Sequence, residues 1–233
     1  MESGPLIKII SHDLKGPLGN MKNVADLFKT GEIQMEQAQN FMGHIEQGID
    51  RSLMLLDELI EWSDVSSNDK EVTQEVLDLN EVIEKVITGI KEKAANKEQT
   101  LTFEKKDLPE VFFDKRALKM ILKNLLVNAI HFTPNKGQIK VLVMEAMEYL
   151  HVSIIDDGIG IPKKMLPTIF EMGKDNRRFG TNKEKGIGIG LFICRDLILR
   201  NKGMVWIEST QENKGTTVMI SVKRAIKPQE QKD

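Results

Sequence analysis

His12 lies in the stretch SHDLKGPL and is followed by Gly16, Pro17 and Gly19. The surrounding pattern is helical, and each glycine in a helix interior costs roughly 0.5–1 kcal/mol relative to alanine. Pro17 also loses the hydrogen bond to the Asp13 carbonyl. A sequence that accepts those costs beside an imidazole leaves a bare, loosened surface where something large can approach the ring. The plain alternative is a solvated surface histidine.

Three further stretches hold residue types suited to a charged ligand. Asn124, Asn128 and His131, in NLLVNAIHFT, stand at i, i+4 and i+7 and form a polar line on a helix otherwise built on Leu118, Leu122, Leu125 and Ala129. Short neutral amides in a row can hold a hydrated Mg²⁺ and a phosphate without repelling either, although a solvated helix face would look the same. Asp156 opens DDGIGIP directly after an apolar run, where a carboxylate can accept a hydrogen bond from an exocyclic amine such as that of adenine. Gly158 and Gly160 there let backbone approach a flat ligand, or simply make a turn. In KGIGIGLFICRDLI, Gly186, Gly188 and Gly190 run straight into a helix, whose free N–H groups suit phosphates. The run is neither a P-loop, since Lys185 precedes it and no Gly-Lys-Ser/Thr ends it, nor a Rossmann turn, since no strand feeds it. Residues 163–185 between these stretches are rich in charge, and so long a loop reads as a mobile lid.

The elements that must position these residues form two groups. Ile7, Ile10, Leu14, Pro17, Met21, Val24 and Phe28 alternate spacings of three and four, a coiled-coil-like seam. At about 100° per residue, His12 points away from that seam, beside Lys15, Gly16, Gly19 and Asn23. After a turn at Gly31, a second helix is expected from Met35 to Trp62, with Met42, Ile45, Ile49, Leu56 and Leu59 on one face. One antiparallel hairpin cannot cover stripes so wide, so a dimeric four-helix bundle is expected. Residues 1–66 form this part, and the polar stretch 67–76 reads as a linker. From 77 to 225 the pattern mixes types: helices at 80–95, 115–132 and 191–201, strands in TLTFEKK, EVFFD, 138–156 (two), MVWIES and TTVMISVKR. Interleaved strands and helices predict an α/β sandwich, a mixed sheet with helices on one face. Residues 226–233 read as a disordered tail.

Composition limits the function classes. Lys and Arg total 33 against 35 Asp and Glu, a net charge of −2, which gives no electrostatic reason to expect nucleic acid or an anionic membrane. Cys194 is alone, so no intrachain disulfide forms and a reducing, cytoplasmic setting is expected. No apolar run approaches the ~20 residues of a membrane span, and MESGPLIKII is too short and polar for a signal peptide.

In order, SHDLKGPL, NLLVNA, DDGIGIP, IFEMG and GIGIGLFI resemble the H, N, G1, F and G2 boxes of the sensor histidine kinases of two-component systems. KGTTVMISV resembles the glycine-threonine box near the end of that family's ATP domain, and the likeness runs from about residue 7 to 223. It implies a helical dimerisation and phosphotransfer hairpin followed by an ATP-binding domain of the Bergerat (GHKL) type. It implies His12 as the phospho-accepting residue and Asp13 as the acceptor of its ring proton, Asn128 on Mg²⁺ and Asn124 on the triphosphate. It further implies Asp156 on adenine, with Gly158, Gly160, Gly186, Gly188, Gly190, Leu191, His131 and Thr216 around ATP. Lys174, Arg177, Arg178 and Lys185 are candidates to neutralise the transferring phosphoryl. The implied partners are a second copy of the chain and the receiver domain of a response regulator. The implied place is the cytoplasm, including the cytoplasmic core of a membrane-bound sensor, without membrane contact by this segment.

Departures from the pattern carry expectations too. Gly16 stands where relatives with phosphatase activity carry Thr or Asn, so weak or absent phosphatase activity is expected. His131 replaces a common lysine, so phosphate contact there should weaken as pH rises. Asp157 is expected to be exposed and without consequence. Two rival readings are weighed beside the kinase. A gate-closing ATPase of the gyrase or Hsp90 kind would need a glutamate where Asn124 stands, and amide nitrogen and oxygen cannot act as base. A nucleotide-binding scaffold without transfer would leave the H box unused.

Overall fold

The computed structural model describes residues 4–30, 35–66, 73–171, 178–182, 184 and 188–225. The chain forms two compact units, Met1–Asp64 and Val65–Asp233. The first consists of α1 (Gly4–Thr30) and α2 (Met35–Ser66), which runs four residues past the expected Trp62. The turn expected at Gly31 lies outside the described residues. Along these helices Val24 and Leu55 are buried, while Phe28, Met42, Ile49 and Leu56 stand exposed within the single chain. No helix among the described residues is long and apolar enough to cross a membrane.

In the second unit, two of the three α-helices begin where their sequence supplies a cap. Asp78 accepts the Asn80 N–H at the start of α3 (Leu79–Ala95), and Asp114 accepts those of Arg116 and Ala117 at the start of α4 (Lys115–Phe132). The third helix, α5 (Gly190–Arg200), starts without a side-chain cap, so its first N–H groups have no side-chain acceptor. A five-stranded sheet runs in the order β2 (Thr100–Phe103), β4 (Gln138–Ala146), β5 (Tyr149–Asp156), β7 (Gly215–Lys223), β6 (Met204–Gln211). Only β2 and β4 are parallel, and the other neighbours are antiparallel. The mixed sheet agrees with the expectation. One alternating set of side chains, Ile139, Val141 and Val143 on β4, Leu150, Val152 and Ile154 on β5, Ile220 and Val222 on β7, is buried together with the apolar faces of the three helices.

Two differences from the sequence expectation concern short elements. A first strand, β1 (Glu75–Leu77), lies in and just beyond the stretch read as linker and pairs antiparallel with β3 (Val111–Phe113). Three residues cannot announce themselves by periodicity; they are a strand because β3 offers its edge. The stretch read as a mobile lid begins instead with a 3₁₀ turn at Lys163–Thr168, after which Ile169 is buried. The expected tail, residues 226–233, lies outside the described residues.

The register places Asp156 opposite Thr216, at the ends of β5 and β7. This closure depends on Gly215. Its φ is +100°, and a Cβ there would overlap the Asp156 carbonyl oxygen. Gly215→Ala is expected to lower the stability of the second unit by about 2 kcal/mol or more, read as a reduced denaturation midpoint. An unchanged midpoint would mean that the strand ends tolerate separation.

Candidate functional site

The site forms where β5 ends, α4 ends and α5 begins. Asp156 is the last residue of β5, and its Oδ1 accepts two backbone hydrogen bonds, from Gly158 N–H at 2.9 Å and from Thr216 N–H at 3.1 Å. Both fall on one oxygen, leaving Oδ2 to accept from a ligand. Burial pushes the carboxyl up to about 6, against the pull of the two backbone donors. The Thr216 hydroxyl lies 3.1 Å from that of Thr210, which in turn accepts the Ile161 N–H at 2.8 Å. The DDGIGIP loop is therefore sewn to β6 and β7 through two threonines. Thr210 belonged to no motif, and a threonine in a strand gives no signal of such a role.

The glycines of that loop serve a purpose other than ligand clearance alone. A Cβ on Gly158 would overlap the Phe132 carbonyl oxygen, at the end of α4, while Ile159 N–H donates to that same oxygen at 3.0 Å. The loop crosses the helix terminus at backbone distance, and only glycine fits beneath it. Asp157 is exposed as expected, yet its carboxylate accepts the Gln138 N–H at 2.8 Å and so pins the start of β4. The expectation that it has no consequence is corrected: its short side chain adds a hydrogen bond at a strand start that already pairs with Thr100 and accepts the Asp157 N–H.

Asn124 and Asn128 project from successive turns of α4, both partly buried. Asn124 Nδ2 is buried and meets no hydrogen-bond partner among the described residues. A donor left in that state is costly, on the order of 1–3 kcal/mol, unless something else accepts from it. A Cβ built on Gly190 lies 3.7 Å from its Cγ and Oδ1, so the orphaned amide stands beside the uncapped start of α5. Amide donor and free helix N–H groups together fit an anion. Among the described residues, no group of three or more His, Cys, Asp or Glu could hold a metal. A divalent cation would take the Asn128 carbonyl oxygen and complete its shell with water and ligand oxygens, the usual habit of Mg²⁺.

His131 lies near the end of α4 and is half-buried. Burial, opposed by Glu184 and aided by Lys93 and Lys97, holds its ring below the ordinary histidine range. The charged form is thereby disfavoured, and a charge-dependent phosphate contact there would be favoured only towards lower pH. Its carbonyl oxygen is the busier group, accepting from Thr181 N–H at 2.9 Å and from Lys97 Nζ at 3.2 Å. Arg178 donates to the Gly160 carbonyl oxygen and stands 6.0 Å from the centre of the Phe132 ring, so its guanidinium braces the DDGIGIP loop. Lys97, Thr181 and Glu184 complete this region and belonged to no motif.

Asp156, Gly158, Gly160, Thr216, Asn124, Asn128, His131, Arg178, Gly188, Gly190 and Leu191 all fall within the described second unit. Of these, the structure ties Asp156, Gly158 and Thr216 together directly and sets Gly190 beside Asn124. Lys174, Arg177, Lys185 and Gly186 lie outside the described residues. His12 and Asp13 lie on α1, and their side chains are outside the described set.

Residues 113–226 match the family described as histidine kinase-, DNA gyrase B-, and HSP90-like ATPase. The chain is 30% identical over 221 residues to sporulation kinase A of Bacillus subtilis, covering 94% of this chain and 34% of that protein. It is 27% identical over 220 residues to sensor histidine kinase WalK of the same organism, covering 91% of this chain and 35% of that one. The chain thus spans about a third of the length of these relatives. The structure of histidine kinase ThkA in complex with the response regulator protein TrrA shares the fold, with a TM-score of 0.68 at 22% identity, over 96% of this chain and 62% of that one.

The carboxyl at Asp156 sets a pH signature for binding. Between about 4 and about 6 the folded chain holds a proton that the unfolded chain has lost, so this group's contribution to stability falls as pH rises through that window. The ionised, hydrogen-bond-accepting form appears over the same rise. Asp156→Asn is expected to weaken ADP binding at pH 8 on the order of tenfold. The ratio of wild-type to variant affinity should shrink towards one as pH falls through about 6. A ratio constant over pH, measured by calorimetry, would contradict the role.

Proposed function

We propose that this chain, which belongs to the sensor histidine kinase family, binds ATP in its second unit and transfers the γ-phosphoryl to His12. The observation that carries the reading is the half-buried Asp156 carboxylate, fixed through Oδ1 and open at Oδ2. A base with an exocyclic amine satisfies that oxygen, and adenine has one. The phosphates extend towards the unpartnered Asn124 amide and the start of α5. Asn128 would hold Mg²⁺, which when bound neutralises charge between the phosphates.

In the transfer, a ring nitrogen of His12 attacks the γ-phosphorus and the bond to the bridging oxygen of ADP breaks. The ring proton passes to Asp13, and ADP leaves with the electron pair of the broken bond. The phosphoryl then moves to an aspartate of a receiver domain, in keeping with the regulator bound to ThkA. Two copies would join through the exposed Phe28, Met42, Ile49 and Leu56 into a four-helix bundle, which water otherwise wets.

The competing ATPase reading is disfavoured at one residue. Asn124 occupies the place of a water-activating glutamate, and its amide has no basic function. Incubation with γ-labelled ATP and Mg²⁺ tests the proposal. Wild type should acquire label that acid removes and base does not, and His12→Gln should acquire none. Label retained by the variant would move the nucleophile elsewhere, and steady phosphate release without labelled protein would hand the function to the gate-closing ATPases.

A further inference from the structure

Lys97 follows α3 in a run of lysines and glutamates, yet it is only 5% exposed. Its ammonium donates to the carbonyl oxygens of Ile130 at 2.9 Å and His131 at 3.2 Å, near the end of α4. It also donates to the Thr181 hydroxyl at 2.7 Å and to Glu184 Oε1 at 2.8 Å. A buried ammonium is expensive unless fully partnered, and the negative end of a helix is a favourable place for it. The helix carbonyls alone would serve stability. The remaining partners come from a segment more than eighty positions later in the chain.

That segment is itself closed. Gly180 N–H donates to the Glu184 carbonyl oxygen at 2.8 Å, and Asn182 N–H to Glu184 Oε2 at 2.7 Å. Although burial raises the Glu184 carboxyl, the hydrogen bond from Lys97 and the backbone donors outweigh it and hold it below the ordinary range. Glu184 stands six residues before Gly190, the residue beside the orphaned Asn124 amide. A tether this short limits where the chain can enter α5.

We propose that Lys97 is a positioning residue for the phosphates of the bound nucleotide. By holding Glu184 against the end of α4, it anchors the chain six residues before Gly190, so that the helix N–H groups and Asn124 face the same anion. The inference rests on the nucleotide reading above.

The test compares the affinity of the full chain for ADP and for adenosine, by calorimetry well below the unfolding midpoint. Adenosine reports the base pocket at Asp156, and the ratio of the two affinities reports the phosphates. Lys97→Met and Glu184→Gln should each lower that ratio on the order of tenfold while adenosine affinity stays unchanged. A purely structural role would leave the ratio as in wild type, and that result overturns the proposal. Where Lys97→Met does not fold, the near-isosteric Glu184→Gln decides. Absence of ADP binding by the wild type would overturn the nucleotide reading and this inference with it.

Discussion

One carboxylate, held at the junction of two strand ends, organises the second unit. Asp156 can accept from both Gly158 and Thr216 only because β5 and β7 finish in register, and because the backbone at 215 takes a conformation that glycine allows. The same two bonds settle which oxygen remains for a ligand. Burial raises the proton affinity of the group and the donors lower it, with burial prevailing. A carboxylate poised in this way discriminates by hydrogen bonding more than by charge.

The rest of the site is arranged around the end of α4. The Phe132 carbonyl receives the DDGIGIP loop through Ile159, and the His131 carbonyl receives the Thr181 segment. Gln99 donates to the Ile130, Thr133 and Pro134 carbonyls, so nearly every acceptor freed by the helix terminus is used. The helix that carries Asn124 and Asn128 is thereby fixed at its far end by loops from three other parts of the chain. In the proposed function, phosphate would meet the Asn124 amide, one of the buried polar groups that have no partner among the described residues.

Much of this was legible in the sequence where the signal is local. The limits of α4 follow from its leucine-rich spacing, and the structure begins and ends that helix at the expected Lys115 and Phe132. The pairing of β4 with β5 and of β6 with β7 follows from apolar runs around short turns. The roles of Gly158, Asp157 and Lys97 were not legible, because each depends on an atom distant in sequence: a helix carbonyl, a strand N–H, a glutamate past the basic stretch. The strand at Glu75–Leu77 was hidden for the same reason, since its partner β3 alone makes it a strand. A residue whose neighbours are set by the fold carries no mark in its own segment.

The central claim is that the open oxygen of Asp156 accepts from the amine at position 6 of adenine. Calorimetric titration of the wild-type chain with ADP and with GDP at pH 8 tests it most directly. Guanine presents a carbonyl oxygen where adenine presents its exocyclic amine, and a carboxylate cannot accept from it. The account predicts that ADP binds at least about tenfold more tightly than GDP. Equal affinity for the two would contradict it and leave Asp156 as a strand-end fastener alone.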